Sequence, residues 1–265
     1  MISKPISFPD IIQQIRFRYE DDIDRLDTFS FPETDRQELR EDLQGLGKDP
    51  LANASEEVIF ELLNTRLDDR NAERFYRRTL FPYLDLPRRS TYAIALLIHA
   101  IVSQMNPKSC YLNVGTWYGF AFFVGMSVPD KLCFGVEDFS SGGDTRDRRH
   151  NFYRQFLKQK NKHHFFFEAE CETMLELFQK VKIGFFFYNA SCEFEDQLKA
   201  LMLAEPYFDD RCIVMVDDIN LKATKEATME FMNYSREPYK VIFEKSTPKN
   251  DYPTWGNGIT LLQRL

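Results

Sequence analysis

The sequence predicts an α/β fold built on a mostly parallel sheet, preceded by a helical section. From residue 89 onward, short apolar runs alternate with amphipathic segments, as strands alternate with helices in such folds. The runs 183–188 and 211–216 are continuously apolar, which indicates strands buried on both faces. The runs 239–244 and 258–262 are joined by a polar loop containing proline and predict an antiparallel pair at the sheet edge.

The alternation gives bounds for each element after residue 89. The predicted strands before the terminal pair are 109–114, 132–136, 164–168, 183–188 and 211–216. The predicted helices are 91–104, 119–127, 145–160, 172–180, 193–204 and 221–234. Residues 1–88 are interpreted as a helical N-terminal cap, and residues 89–265 as a ligand-binding domain.

Helix signals divide the N-terminal section. The first predicted helix covers residues 8–26. Thr34 followed by Gln37 resembles a capping box, and that helix is expected to stop near Gly45 and Gly47. Another begins at Ser55, and a fourth covers 71–80, with prolines after its end.

Charge and composition narrow the function classes. The 265 residues carry a net charge of −7, and no basic stripe is visible, which argues against a nucleic-acid partner. The longest apolar stretch, 92–102, is too short to span a bilayer, so no membrane association is predicted. The five cysteines have no Cys-x-x-Cys spacing and are interpreted as reduced thiols of a cytoplasmic protein.

The most informative segment is a strand, a glycine turn and a helix, followed by a strand that ends in acids. Gly115 and Gly119 bracket the turn, and Glu137 and Asp138 follow the next strand. This order predicts a nucleotide-binding crevice, because glycine lets a ligand approach the backbone and a carboxylate accepts both ribose hydroxyls. A plain structural turn is the alternative. Trp117 breaks the G-x-G-x-x-G pattern, which argues against a nicotinamide-dependent oxidoreductase.

Residues 90–265 resemble the class I S-adenosylmethionine-dependent methyltransferases, especially their small-molecule and sugar-modifying members. The first motif of that family often reads acid-x-Gly-x-x-x-Gly-x-Ser, and here Asn113 takes the place of the acid and Ala121 that of the serine. The resemblance implies a Rossmann-like sheet of seven strands with an antiparallel C-terminal strand. It also implies S-adenosylmethionine as cofactor of the 89–265 domain.

The resemblance implies a role for individual residues. Glu137 is the closer match to the acid that holds the ribose hydroxyls, with Asp138 as the alternative. Ala169 and Glu170 match the segment beside the adenine ring. The cofactor-binding residues implied in this way are Asn113, Gly115, Tyr118, Gly119, Glu137, Asp138, Ala169, Glu170 and Asn189.

The fourth and fifth strands end in further polar residues. Asn189 and Cys192 match positions where metal-assisted relatives have Asp and His, and Asp217 and Asp218 match a common fifth-strand ending. Asn189, Asp217 and Asp218 form a weak candidate site for a divalent metal, which prefers several carboxylates. The two aspartates are alternatively solvated charges or a helix cap.

The segment 140–150 is rich in glycine and cations. Gly142 and Gly143 predict a turn and Asp144 a helix cap, after which arginines lie next to the crevice. Arg146, Arg148, Arg149 and His150 are interpreted as a receptor for a phosphate or carboxylate of the substrate, or as a solvated helix face. His150 joins Asp217 and Asp218 as a candidate general base.

Two hypotheses for function follow. The first is methyl transfer from S-adenosylmethionine to an oxygen or nitrogen of a small-molecule acceptor. The second is a non-catalytic binding or interaction protein on the same fold, because Asn113 and Asn189 replace acids. An exposed aromatic face on the cap would serve either as the interface of a homo-oligomer or as a lid.

Overall fold

The computed structural model describes residues 8–25, 30–140, 145–175, 178 and 181–265. The strands are β1 (Arg16–Phe17), β2 (Thr65–Arg66), β3 (Ser109–Val114), β4 (Leu132–Val136), β5 (His164–Phe167), β6 (Lys182–Tyr188), β7 (Phe208–Asp217), β8 (Tyr239–Lys245) and β9 (Ile259–Arg264). The α-helices are α1 (Phe8–Gln14), α2 (Glu33–Asp42), α3 (Glu56–Asn64), α4 (Arg70–Leu84), α5 (Tyr92–Gln104), α6 (Phe120–Met126), α7 (Thr145–Gln159), α8 (Cys171–Leu175), α9 (Phe194–Ala204) and α10 (Lys222–Tyr234).

Strands β3 to β9 form one seven-stranded sheet in the order β5-β4-β3-β6-β7-β9-β8. The pairs from β5 to β7 are parallel, and β9 is antiparallel to both of its neighbours. The predicted fold class, a mostly parallel sheet with an antiparallel C-terminal strand, is therefore confirmed. The apolar strands are buried as predicted, because helices cover both faces of the sheet.

The strand order reverses between β3 and β6. From β3 the chain adds β4 and β5 on one side, and it then returns to add β6 and β7 on the other. At such a switch point, the loops after adjacent strands turn to opposite faces of the sheet and leave a crevice outside the carboxyl ends. The topology therefore puts the crevice beside the glycine turn.

Two apolar cores lie against the sheet, one on each face. Side chains of α5, α6 and α7 pack on one face, and those of α8, α9 and α10 pack on the other. Helices α1, α3 and α4 add a further layer that shares the first core. The N-terminal section thus packs against α5, while the division into domains at residue 88 stays a prediction.

A buried ion pair joins this section to the start of α5. Glu61 accepts a hydrogen bond from Arg88 at 2.8 Å and another from the backbone N–H of Tyr92 at 2.7 Å. The side chains of Glu61 and Arg88 are only 2% and 6% exposed. This contact fixes where the chain enters the sheet domain.

A second polar cluster, called here the arginine network, lies inside the N-terminal section. The Asp42 carboxylate is fully buried and bonds to Arg70, Arg74 and Arg77 at 2.7 to 3.0 Å. Oxygens of Glu38, Asp42 and Glu73 lie within 4.8 Å of one another. The guanidinium groups already neutralise these carboxylates, so the cluster is an ion-pair network rather than a cation site.

The predicted helix over residues 8–26 is wrong over residues 15–25, and residue 26 lies outside the described residues. α1 ends at Gln14, and the chain then forms β1, which pairs with β2, and a 3-10 helix over Glu20–Arg25. The side chain of Asn64 receives the backbone N–H of Tyr19 at 2.8 Å. This long-range pairing overrides the local helical pattern, since helix propensity is a weak prior.

The capping box proposed at Thr34 is also wrong. α2 begins at Glu33, directly after Pro32, and no side chain caps it. It ends at Asp42, before the two glycines that were expected to stop it. The Ser55 start is confirmed, because its hydroxyl accepts the N–H of Val58 at 3.2 Å.

Other bounds differ by a few residues. α4 runs to Leu84, with Pro82 inside its last turn instead of beyond its end. α8 ends at Leu175, and Phe178 is outside the helix that was predicted to reach residue 180. Within the described ranges, every helix is too short or too polar to cross a bilayer.

Candidate functional site

The glycine turn at the end of β3 needs glycine at both ends. Gly115 has φ +80°, and a Cβ there would overlap the backbone of Asn189 and Ala190. Gly119 has φ +97°, and a Cβ there would overlap the ring of Phe123. A side chain at either position would therefore displace the turn, since positive φ and close approach both favour glycine.

Four strand ends meet along the crevice. The last paired residues of β4, β3, β6 and β7 are in register, so the next residues form one row: Glu137, Gly115, Asn189 and Asp217. Hydrogen bonds between neighbouring strands continue into this row, from Gly115 and Asn189. Three strand spacings separate Glu137 from Asp217, or about 14 Å.

Glu137 connects the end of β4 to the glycine turn. One carboxylate oxygen accepts the N–H of Trp117 at 2.8 Å, and the other accepts the N–H of Phe139 at 3.1 Å. Arg148 lies 3.8 Å from it. Burial raises the pKa of Glu137, although these hydrogen bonds and Arg148 oppose the shift. Glu137 is therefore the acid that faces the turn.

Asp138 has a different environment. It is exposed, and its carboxylate accepts the backbone N–H and the hydroxyl of Ser140, both at 2.8 Å. It thus closes a local turn beside the crevice. The glycine turn and helix cap that were predicted at residues 142–144 lie outside the described residues.

Two buried acceptors beside Gly115 have no hydrogen-bond partner among the residues that the structure describes. Asn113 is fully buried, and its Nδ2 donates to the carbonyl of Phe187 at 3.3 Å, while its Oδ1 is unpaired. The hydroxyl of Thr116, 4% exposed, is also unpaired. Unpaired buried acceptors are rare and fit a ligand that donates hydrogen bonds.

Aromatic residues occupy the middle of the turn. Trp117 has φ +51°, which is unusual for a bulky residue and is typical of functional sites. Its ring meets that of Tyr118 edge-on, with centroids 4.7 Å apart, and both are half-buried. They offer flat apolar surface to a ligand at the turn.

A cleft of about 550 Å³ opens beside the ends of β4 and β5. Its lining residues are Asp138, Phe139, Thr145, Arg146, Arg149, His150, Tyr153 and Glu168. Glu168 is bonded to Arg149 at 2.8 Å and to the Tyr153 hydroxyl at 2.9 Å. Ala169 and Glu170 follow directly along the chain, at the end of β5. His150 is therefore on the β4 and β5 side of the crevice.

Asp217 and Asp218 lie at the opposite side, at the end of β7. Asp217 is 6% exposed, and burial, reinforced by the charge of Asp218, raises its pKa well above the usual range. Asp218 has φ +61°. Its carboxylate accepts hydrogen bonds from the side-chain amide of Asn257 at 2.5 Å and from the Cys192 thiol at 3.1 Å. The three candidate catalytic residues thus form two separate groups.

The donor set at the end of β7 does not fit a divalent metal. One oxygen of Asp217 accepts the backbone N–H of Asp218 at 2.9 Å, and both oxygens of Asp218 already accept hydrogen bonds. Asn189 supplies only a neutral amide. A hard cation requires several ionised oxygens, which these three side chains do not offer together.

Sequence reasoning missed several contacts of the crevice. Arg148 was assigned to a substrate receptor, yet it lies beside Glu137. Asn257 was not selected, although its amide donates to Asp218 from the loop before β9. Arg89 was seen only as a boundary, and its guanidinium lies over the Trp117 ring. No local pattern predicts such contacts, because each joins segments distant in sequence.

The sequence matches no family model and no curated protein. Several solved structures are similar in fold. One, an O-methyltransferase from Bacillus cereus in complex with S-adenosylhomocysteine, has 11% identity and a TM-score of 0.51, and the match covers 71% of this chain and 90% of that one.

Two further structures agree. A protein described as an O-methyltransferase from Klebsiella pneumoniae has 14% identity and a TM-score of 0.52, covering 70% of this chain and 89% of that one. A protein described as a caffeoyl-CoA O-methyltransferase from Staphylococcus aureus has 10% identity and a TM-score of 0.51, and the match covers 68% of this chain and 87% of that one. The chain therefore has the seven-stranded fold of the class I S-adenosylmethionine-dependent methyltransferases.

Proposed function

We propose that this chain transfers a methyl group from S-adenosylmethionine to an oxygen or nitrogen of a small molecule. The observation that carries the proposal is the position of Glu137, an acid at the end of β4 whose carboxylate contacts the glycine turn at the switch point. The Bacillus cereus protein with the same fold binds S-adenosylhomocysteine, which supports the choice of cofactor.

The residues present fit this cofactor in part. Glu137 can accept ribose hydroxyls with its remaining lone pairs, since a carboxylate has about four acceptor sites. The unpaired Oδ1 of Asn113 and hydroxyl of Thr116 suit the ammonium group of the methionine portion. Gly115 and Gly119 keep the turn compact beneath the ligand. Ala169 and Glu170, next to the 550 Å³ cleft, are proposed to lie beside adenine.

The cofactor supplies an activated methyl group, and the protein aligns the acceptor with it. We assign proton removal from a hydroxyl acceptor to Asp217, because its raised pKa makes the ionised carboxylate a stronger base than an ordinary aspartate. Asp218 is held by Asn257 and Cys192 and is proposed to position Asp217. His150 lies too far along the edge to share this role.

A specific observation favours the non-catalytic alternative. The Glu137 carboxylate already accepts two backbone N–H groups, and the neutral Asn113 stands where the family usually has an acid. A binding protein of this kind would show no turnover, whether or not it retains S-adenosylhomocysteine. Release of S-adenosylhomocysteine in a screen of hydroxyl and amine acceptors distinguishes the two, since only an enzyme produces it in an acceptor-dependent way.

Glu137→Gln is expected to weaken S-adenosylhomocysteine binding at least about tenfold, because a hydrogen bond to a charged group contributes about 1.5–3 kcal/mol. Calorimetry measures the affinity. The matched control is Asp138→Asn, which changes the neighbouring acid and is expected to leave the affinity within about twofold, because Asp138 bonds to its own turn. The assignment fails if the control loses affinity and Glu137→Gln does not.

A further inference from the structure

We propose that Arg89 binds a carboxylate or phosphate group of the acceptor, so that the acceptor is a small organic anion. This inference rests on the proposed function, since it names the class of acceptor for the same crevice. Three observations support it. The N–H edge of the Arg89 guanidinium is available, the side chain lies beside the glycine turn, and the neighbouring cations Arg148 and Arg149 lie close to carboxylates.

Arg89 differs sharply from Arg88, the residue before it. Arg88 is buried and bonds to Glu61 and to the carbonyl of Leu84. Arg89 is exposed, and among the described residues it makes neither a hydrogen bond nor an ion pair. Its guanidinium carbon lies 5.3 Å from the centroid of the Trp117 ring. The indole holds the face of the guanidinium and leaves its N–H edge available.

The surroundings of Arg89 are anchored at two points. The hydroxyl of Thr91 donates to the carbonyl of Thr254 at 2.6 Å, which ties this segment to the loop before β9. Trp117 is held in turn by its N–H bond to Glu137. The backbone is thus anchored while the side chain projects at the glycine turn, so little conformational freedom is lost when a ligand binds.

An anionic acceptor needs a cation in this crevice, because most of the charges at the strand ends are negative. Glu137, Asp138 and Asp218 lie at the strand ends, and their carboxylates would repel an anionic acceptor. Arg148 and Arg149 are near Glu137 and Glu168, whose charges offset theirs. A guanidinium edge forms two parallel hydrogen bonds to a carboxylate or phosphate, which orients a planar acceptor. The flat surfaces of Trp117 and Tyr118 suit an aromatic body.

A fluorescence titration tests the proposal directly. The chain has two tryptophans, so Trp255→Phe leaves Trp117 as the reporter. The probes are 4-hydroxybenzoate, phenyl phosphate and the neutral 4-hydroxybenzamide. We expect saturable quenching at millimolar or lower concentration by at least one anion, with the amide at least about tenfold weaker. The two anions show whether the site prefers carboxylate or phosphate.

Arg89→Gln in this background is expected to weaken anion binding at least about tenfold and to leave the amide unchanged. Arg78→Gln is the matched control, because Arg78 is an exposed arginine of α4 near Gly45, away from the crevice. Arg146→Gln tests the competing position in the β4 and β5 cleft. Both are expected to bind the anion as the parent does.

Four results would overturn the proposal: no saturable quenching by either anion, equal affinity for the amide, an unchanged affinity in Arg89→Gln, or an equal loss in Arg146→Gln. Calorimetry with S-adenosylhomocysteine adds a check. If Arg89→Gln lost as much affinity for S-adenosylhomocysteine as for the anion, the residue would be assigned to the cofactor instead. If the parent binds the anion through Arg89 but no S-adenosylhomocysteine, the proposed function fails and the anion site stands.

Discussion

Asp42→Asn is expected to lower the free energy of unfolding by about 3 kcal/mol or more, since removing one partner of a buried ion pair typically costs about 3–5 kcal/mol. The Asp42 carboxylate is fully buried and bonds to three guanidinium groups of the arginine network. Asparagine keeps the volume but leaves the buried charge of Arg77 less compensated. Urea unfolding at neutral pH measures the change.

Glu33→Gln is the matched control, because it removes a carboxylate from the same helix. Glu33 pairs with Arg40, but its side chain is 77% exposed. Such a surface pair contributes about 0–1 kcal/mol. Equal destabilisation by the two variants would contradict the role assigned to the arginine network.

The effect of Asp42 also depends on pH. Burial alone would raise the pKa of Asp42, but hydrogen bonds from Arg70, Arg77 and Arg74 outweigh it, and the pKa is lowered. A lowered pKa in the folded state stabilises the protein above the ordinary pKa of aspartate. This stabilisation is lost as the pH falls through the lowered value. The stability gap between Asp42→Asn and the parent should therefore narrow at acid pH.

Gly115→Ala is expected to abolish measurable S-adenosylhomocysteine binding. Residue 115 has φ +80°, and the added Cβ would overlap the backbone of Asn189 and Ala190, which cannot move aside as a flexible side chain can. The end of β3 must then separate from the end of β6, which displaces the turn that Glu137 contacts. Calorimetry reports the binding, and thermal unfolding shows that the variant is folded.

Gly45→Ala is the control for backbone strain alone. Gly45 has φ +95°, and its nearest neighbour would be the end of the Arg78 side chain at 3.5 Å. Both variants incur the left-handed penalty of about 1–2 kcal/mol, but only Gly115→Ala disturbs the crevice. Retention of full ligand affinity in Gly115→Ala would contradict the assignment of the turn.

The sheet was predictable because its central strands are buried on both faces. Continuous apolar runs such as β6 and the helices between them leave a strong alternating pattern, and the terminal pair is marked by its polar loop. The N-terminal section was less predictable. β1 and β2 are two residues each and pair across nearly fifty positions, and Pro32 replaces the expected cap by fixing the backbone at the start of α2.

The site was predictable only where its residues are local to a strand end. The positions of Gly115, Glu137 and Asp217 follow from the order of the strands along the chain, because each of these residues comes at or directly after the end of a predicted strand. The distance between His150 and Asp217 depends on which strands are neighbours, and the sequence does not state that order. The contact between Arg89 and Trp117 depends on the packing of two loops, for which no spacing rule exists.

Calorimetric titration of the parent protein with S-adenosylhomocysteine tests the central claim most directly. We expect micromolar binding with one ligand per chain, unchanged by added magnesium, because the Asn189, Asp217 and Asp218 donors do not fit a metal. Absence of binding by either S-adenosylhomocysteine or S-adenosylmethionine at millimolar concentration would contradict the methyltransferase proposal and leave a fold used for interaction alone.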